Sequence, residues 1–155
     1  MSDIKFKIIQ QDDLESIQLI ADWYLSEWNI PIEKTVQQLQ LVAAGQTQFQ
    51  VLMTVDGTPV ATGGIYDHVG LLDREPRFKI YKHWLALVYT IPNKRQQGFG
   101  TLLCTYIEEH AKSIGLEKVH LFTDTAERLY ERLGWNVLER ITLANRNIVI
   151  MEKEV

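Results

Sequence analysis

The chain has a single cysteine, Cys104, in 155 residues. One thiol excludes an internal disulfide and any cysteine-rich zinc site. With no secretory signal in view, it also points to a cytoplasmic protein. No apolar run approaches the roughly 20 residues a membrane-crossing helix needs, so no membrane role is expected. Basic residues are not in excess: 16 Lys and Arg stand against 20 Asp and Glu, for a net charge of −4. That balance is wrong for a protein gripping nucleic-acid phosphates, so no nucleic-acid partner is expected. Repeats, low-complexity tracts and linkers are absent. With 46% hydrophobic and 23% charged residues, the chain reads as one globular domain spanning residues 1–155.

Hydrophobic periodicity then orders the elements. Residues 5–9 read as a strand, and Asp12 with Glu15 as a capping pair. Leu14, Ile17, Ala21, Tyr24 and Trp28 mark one face of a helix that ends before Pro31. A second helix carries Ile32, Val36, Leu39 and Ala43 and stops at Gly45. Phe49, Val51, Met53 and Val55 alternate with polar or smaller residues, and Asp56-Gly57 turns the chain into a return strand over 59–66. Residues 67–76 read as a loop and 84–90 as a central strand covered on both faces. The best helix runs from 98 to 114, closed by Gly115. A strand over 119–123 follows, with Asp124 and Glu127 capping a short helix over 126–133. Strands over 137–142 and 148–151 complete a mixed α/β fold on one mostly antiparallel sheet, flanked by about four helices.

The chemistry lies between the central strand and the best helix, at Arg95-Gln96-Gln97-Gly98-Phe99-Gly100. A strand feeding a glycine-bearing turn that opens a helix directs several backbone N–H groups, and the positive end of the helix dipole, at one point. That is how backbone holds phosphate. A dinucleotide fingerprint would need a third glycine where Leu103 stands, and a P-loop would need Gly-Lys-Ser/Thr, which is missing. An Arg-x-x-Gly-x-Gly turn remains, and by itself it also fits a tight turn with no ligand.

The stretch from Leu87 to Leu103, with Pro92 three residues before Arg95, followed by Leu129-Tyr130-Glu131-Arg132-Leu133-Gly134-Trp135, resembles the GNAT superfamily of acyl-CoA-dependent N-acyltransferases. The first block is similar to the family's pyrophosphate motif and the second to its Leu-Tyr-x-x-x-Gly-Phe signature. Trp135 stands where Phe is more usual, and Thr123 where many members have Asn. The resemblance implies an N-acetyltransferase that moves an acetyl group from acetyl-CoA to a primary amine, without a metal. Main chain from Gln96 and Gln97 through Gly98, Phe99 and Gly100 to Thr101 would hold the pyrophosphate, with Arg95 adding charge. Val88, Tyr89 and Thr90 would pair with pantetheine, and Thr123 would reach the same arm. Tyr130 would be the general acid, since a phenol is protonated at neutral pH.

His83 is a candidate base on grounds of its pKa range, with Glu27, Asp67, His68 and Glu75 behind it. Trp23 and Glu27 are expected on the acceptor wall, where an aromatic face and a carboxylate suit a cationic amine. Tyr24 and Trp28 read as core filling. The acceptor would be a small-molecule or peptide amine. A homodimer is compatible with the resemblance, although no interface is specified. A non-catalytic acyl-CoA sensor on the same fold is the competing reading.

Overall fold

A computed structural model describes residues 2–155. Seven strands form one sheet: β1 (Ile4–Ile8), β2 (Phe49–Val55), β3 (Thr58–Tyr66), β4 (Trp84–Thr90), β5 (Lys118–Thr123), β6 (Asn136–Leu143) and β7 (Arg146–Glu154), in the spatial order β1-β2-β3-β4-β5-β7-β6. Every pairing is antiparallel except β4 with β5. Five helices flank it: α1 (Leu14–Trp28), α2 (Ile32–Ala44), α3 (Leu71–Arg74), α4 (Phe99–Ser113) and α5 (Glu127–Arg132). The expected mixed α/β architecture is therefore present, with one helix more than anticipated.

That extra helix, α3, lies within the 67–76 stretch expected to be a loop and runs into a 3-10 turn at Pro76–Ile80. Leu71, Leu72 and Phe78 are buried there against Trp84 and Tyr66. Burying three large apolar side chains, each worth roughly 1.5–3 kcal/mol, stabilises two short helical turns whose Gly, Asp and Pro content argues for irregular chain.

Two caps also differ from expectation. Asp13, not Asp12, caps α1: its carboxylate accepts from the Ser16 N–H and pairs with Lys7 at 2.8 Å. Asp124 does not cap α5, because it is engaged by Arg146, whose Nε donates to it at 2.8 Å. Thr123 Oγ1 instead ties the turn ahead of the helix, accepting from the N–H of Ala126 at 3.0 Å and of Thr125 at 3.3 Å, and α5 has no side-chain cap.

The sheet is covered on both faces. Val51, Met53, Leu85, Leu121 and Met151 pack on the α4 side with Leu103 and Ile107. On the other face Leu52 and Tyr89 meet Ile17, Ile20 and Leu39 of α1 and α2. Trp84 and Ile150 meet Phe78 on that same face. Strand β2 is therefore buried at all five positions from Phe49 to Met53 rather than alternately. The residue that suffers from this double cover is Gln50, a polar side chain at 1% exposure.

Candidate active site

Strands β4 and β5 run parallel but pair only at Trp84 and His120, where the His120 N–H donates to the His83 carbonyl at 2.8 Å. Beyond that pair the strands separate, so the later residues of β4 have a partner strand on the β3 side only. A strand edge facing a gap presents unused N–H and C=O groups, which an extended ligand can pair as an added strand.

Within β4 the ladder to β3 is interrupted. Thr62 faces Tyr89 and Gly64 faces Ala86, so Leu87 and Val88 together oppose Gly63. This is a β-bulge, and Leu87 sits in it at φ 57°. A bulky residue in the left-handed region costs about 1–2 kcal/mol and needs support. The support is a hydrogen bond: the Tyr24 hydroxyl donates to the Leu87 carbonyl at 2.6 Å. Gln50 Nε2 donates in turn to the Tyr24 oxygen at 3.0 Å and to Thr62 Oγ1 at 2.7 Å. The Tyr66 hydroxyl donates to Gln50 Oε1. Thr62 Oγ1 donates to the Val51 carbonyl at 2.8 Å. Sequence reading takes Tyr24 as core filling and overlooks this network. Its signal in the sequence is polar Gln50 and Thr62 inside largely apolar strands.

At the far end of β4 the chain passes a 3-10 turn (Pro92–Lys94) and enters α4. Gln96 at φ 62° and Gly98 at φ 84° both take the left-handed conformation. Alternating hands of this kind turn successive N–H groups toward one side. Gly98 caps α4 with no side chain in support, and the Leu102 N–H bonds back to its carbonyl at 3.2 Å. The N–H groups of Phe99, Gly100 and Thr101 are therefore left without acceptors in the helix. Open space surrounds Gly98, since a Cβ built there would meet nothing within 4 Å.

Arg95 is spoken for. Its Nε donates to the Thr90 carbonyl at 2.7 Å, its Nη2 reaches Glu27 Oε2 at 3.2 Å, and the guanidinium lies 5.4 Å from the centre of the Tyr89 ring. Trp23 and Trp28 also pack on Tyr89, with ring centres 5.4 and 6.0 Å away. Glu27 thus braces the turn after β4, which changes its expected place on the acceptor wall. Trp23 is half-buried against the strand.

Tyr130 is 9% exposed and belongs to the apolar cluster of Leu103 and Cys104, which Val88 and Phe99 also join. Burial, followed by the neighbouring Cys104, pushes its phenol pKa upward, so it stays protonated. Burial likewise pushes the Cys104 thiol up to about 12, leaving it inert as a nucleophile. Thr123, having accepted two backbone N–H groups, keeps only its hydroxyl proton to offer.

His83 lies elsewhere. It sits at the closed end of the β4–β5 junction with Nδ1 3.5 Å from Asp67 Oδ1. Five residues of extended strand, at about 3.3 Å each, separate it from Val88 by roughly 16 Å. That is too far for direct proton transfer, which needs hydrogen-bond reach. On the face opposite α4, beside the gap, lies a cleft of about 240 Å³ lined by Leu71, Phe122, Leu143 and Ile148 with Arg74 and Arg146 at its edge. The cleft forms because folding brings α3, β5 and the last hairpin together.

A family model described as Acetyltransferase (GNAT) family matches residues 15–135. No curated protein matches in sequence. Among solved structures, an aminoglycoside 6'-N-acetyltransferase complexed with coenzyme A superposes at a TM-score of 0.74 with 15% identity, over 97% of this chain and 96% of that one. A GNAT acetyltransferase from Streptococcus pneumoniae does so at 0.75 with 15% identity, over 99% of each. The ribosomal-protein-S18-alanine N-acetyltransferase from Escherichia coli reaches 0.67 with 18% identity, over 98% and 94%. At such identities the superpositions speak for the fold alone, whereas the family model spans most of the sequence, including the glycine turn and Tyr130. The chain belongs to the GNAT family of acetyltransferases.

Proposed function

We propose that residues 1–155 form one acyltransferase domain that transfers the acetyl group of acetyl-CoA to a primary amine by direct attack. The observation that carries this reading is the gap between β4 and β5, closed at one end by the Trp84–His120 pair and leading at the other to the glycine turn of α4. Among the described residues no helix is long and apolar enough to cross a membrane, and no cluster of three or more metal-ligating side chains occurs.

Acetyl-CoA supplies the acetyl group already activated as a thioester. Backbone N–H groups from Gln96 to Thr101 hold the two phosphates, reinforced by the α4 dipole. Arg95, fixed by Thr90 and Glu27, sets the entry of the turn rather than acting as a free charge. The open edge at Val88, Tyr89 and Thr90 binds the pantetheine amides, and Thr123 donates its hydroxyl to the same arm. The Val88 N–H, re-aimed by the bulge, stabilises negative charge developing on the thioester oxygen. Tyr130 gives its proton to the departing sulfur. The amine enters from the cleft lined by Phe122 and Ile148, on the face away from α4. With His83 beyond reach, the amine proton leaves through water.

Thermal denaturation with acetyl-CoA tests the binding half. Ligand at 100 times Kd adds about 2.7 kcal/mol of stability, and no shift at millimolar acetyl-CoA refutes cosubstrate binding. Thiol release across an amine panel tests the transfer half. A shift without thiol release from any amine favours the sensor.

A further inference from the structure

Nothing in the chemistry of acyl transfer requires the four polar side chains Tyr24, Gln50, Thr62 and Tyr66 to be buried together. They come from α1, β2 and β3, each is at most 1% exposed, and they meet on the face of the sheet that α1 and α2 cover. Their hydrogen bonds run in one direction. Tyr66 donates to the Gln50 carbonyl oxygen, the Gln50 amide donates to Tyr24, and Tyr24 donates to the Leu87 carbonyl. The second amide hydrogen of Gln50 goes to Thr62, whose own proton goes to Val51. Every side-chain polar hydrogen in the set has one acceptor, so the network leaves no alternative arrangement for the Tyr24 hydroxyl.

One branch of the network ends on the Val51 carbonyl; the Tyr24 branch ends on the Leu87 carbonyl, and Leu87 is the one β4 residue in the left-handed region. A leucine released at φ 57° returns toward ordinary strand geometry, because its Cβ disfavours the left-handed well. Such a return would rotate the peptide joining Leu87 to Val88, which carries the Val88 N–H. The opposing strand is shaped to the same bulge. A Cβ on Gly63 would lie 3.1 Å from Val88 Cγ2, and one on Gly64 2.6 Å from Gln50 Oε1 and 2.4 Å from the Phe49 carbonyl. Burial pushes the Tyr24 phenol pKa up, so the donor persists across the working pH range.

We infer that Tyr24, itself oriented by Gln50, is a positioning residue for acetyl transfer: it holds the Leu87 carbonyl and so keeps the Val88 N–H directed into the β4–β5 gap. Rate control thus reaches from α1 through the sheet to the strand edge without contact with either substrate. The inference rests on the acetyltransferase reading for its kinetic consequence, but its structural half stands alone.

The test is Tyr24→Phe, which removes one oxygen and keeps the ring. With acetyl-CoA and an amine found by the panel, kcat falls about tenfold or more while KM for acetyl-CoA stays within about twofold. Amide hydrogen exchange at Val88, measured without cosubstrate, changes by about tenfold or more as the peptide turns out of the gap. Leu87→Gly removes the Cβ that opposes the left-handed conformation, so Tyr24→Phe costs less rate in a Leu87→Gly background than in the wild type. Unchanged kcat in folded Tyr24→Phe overturns the inference, as does unchanged Val88 exchange. A loss of the same size in both backgrounds also overturns it, because the hydroxyl then acts other than through the bulge. Should Tyr24→Phe fail to fold, Gln50→Met takes its place. It leaves the Tyr24 oxygen without its donor, and the same kcat loss and changed Val88 exchange are expected, with no change in either counting against the inference. Exchange at Val88 needs no turnover, so a failure of the acetyltransferase reading is told apart from a failure of this one.

Discussion

Arg95 Nη2 lies 3.2 Å from Glu27 Oε2, which joins the turn after β4 to the last turn of α1. Both partners are partly exposed, so the pair contributes less than about 1 kcal/mol to stability. Its larger effect is on where the guanidinium can go. Glu27→Gln is expected to change KM for acetyl-CoA by several-fold and leave KM for the acceptor amine within twofold. Steady-state kinetics with each substrate varied in turn decides this. A rise confined to the acceptor KM would return Glu27 to the acceptor wall.

Tyr130 is buried, protonated and part of the cluster that includes Val88. Tyr130→Phe keeps the ring against Trp135, whose centre is 5.9 Å away, so the fold should hold. Turnover drops tens-fold or more, and the thermal shift with acetyl-CoA persists. Wild-type turnover in this variant removes Tyr130 from the chemistry.

Gly98 adopts φ 84° beside empty space. In Gly98→Ala the new methyl meets no protein atom, so the folding penalty is the conformational one, about 1–2 kcal/mol. At this chain length that is a few degrees in Tm. The same methyl points into the volume a phosphate would occupy, so KM for acetyl-CoA rises by tenfold or more. Calorimetry and kinetics on the one variant separate the two effects, and an unchanged KM would show that the turn binds nothing.

His120 is 4% exposed, and burial lowers its pKa despite the Glu152 carboxylate 2.9 Å from Nε2. The unfolded chain, with a histidine pKa near 6.5, therefore takes up a proton before the folded one does. The sign follows: the stability tied to this group is fully present above about pH 6.5 and is lost as pH falls from there through the depressed folded value. The slope is at most about 1.4 kcal/mol per pH unit for one proton. Urea unfolding from pH 7.5 to 5 should show this decline. His120→Phe, which keeps a ring stacked on Tyr81, should flatten it.

The parts of this molecule that were legible in the sequence are those set by local chemistry. Gly98, Gly115 and Gly134 mark the helix start or ends they stand beside, all at positive φ, and the Asp56-Gly57 hairpin forms where its turn residues stand. Ala144 and Asn145, both at positive φ, make the second hairpin turn, immediately before Arg146 opens β7. Long-range partners were not legible. Glu27 reads as a substrate carboxylate until α1 is laid beside Arg95, 68 residues away. Tyr24 fits the apolar stripe of its helix so well that its hydroxyl, aimed at Leu87 63 residues on, leaves no mark in the periodicity. His83 looks apt by chemistry and is misplaced by topology, since the strands diverge only after it.

The lone Trp84–His120 junction divides the sheet into two blocks, each continuous in sequence. All other ladders join strands within residues 4–90 or within residues 118–154. Each block can therefore set its own register without waiting for the other. Native-state exchange should then resolve two cooperative opening units, with the seam between them running along the path where acetyl-CoA is proposed to lie.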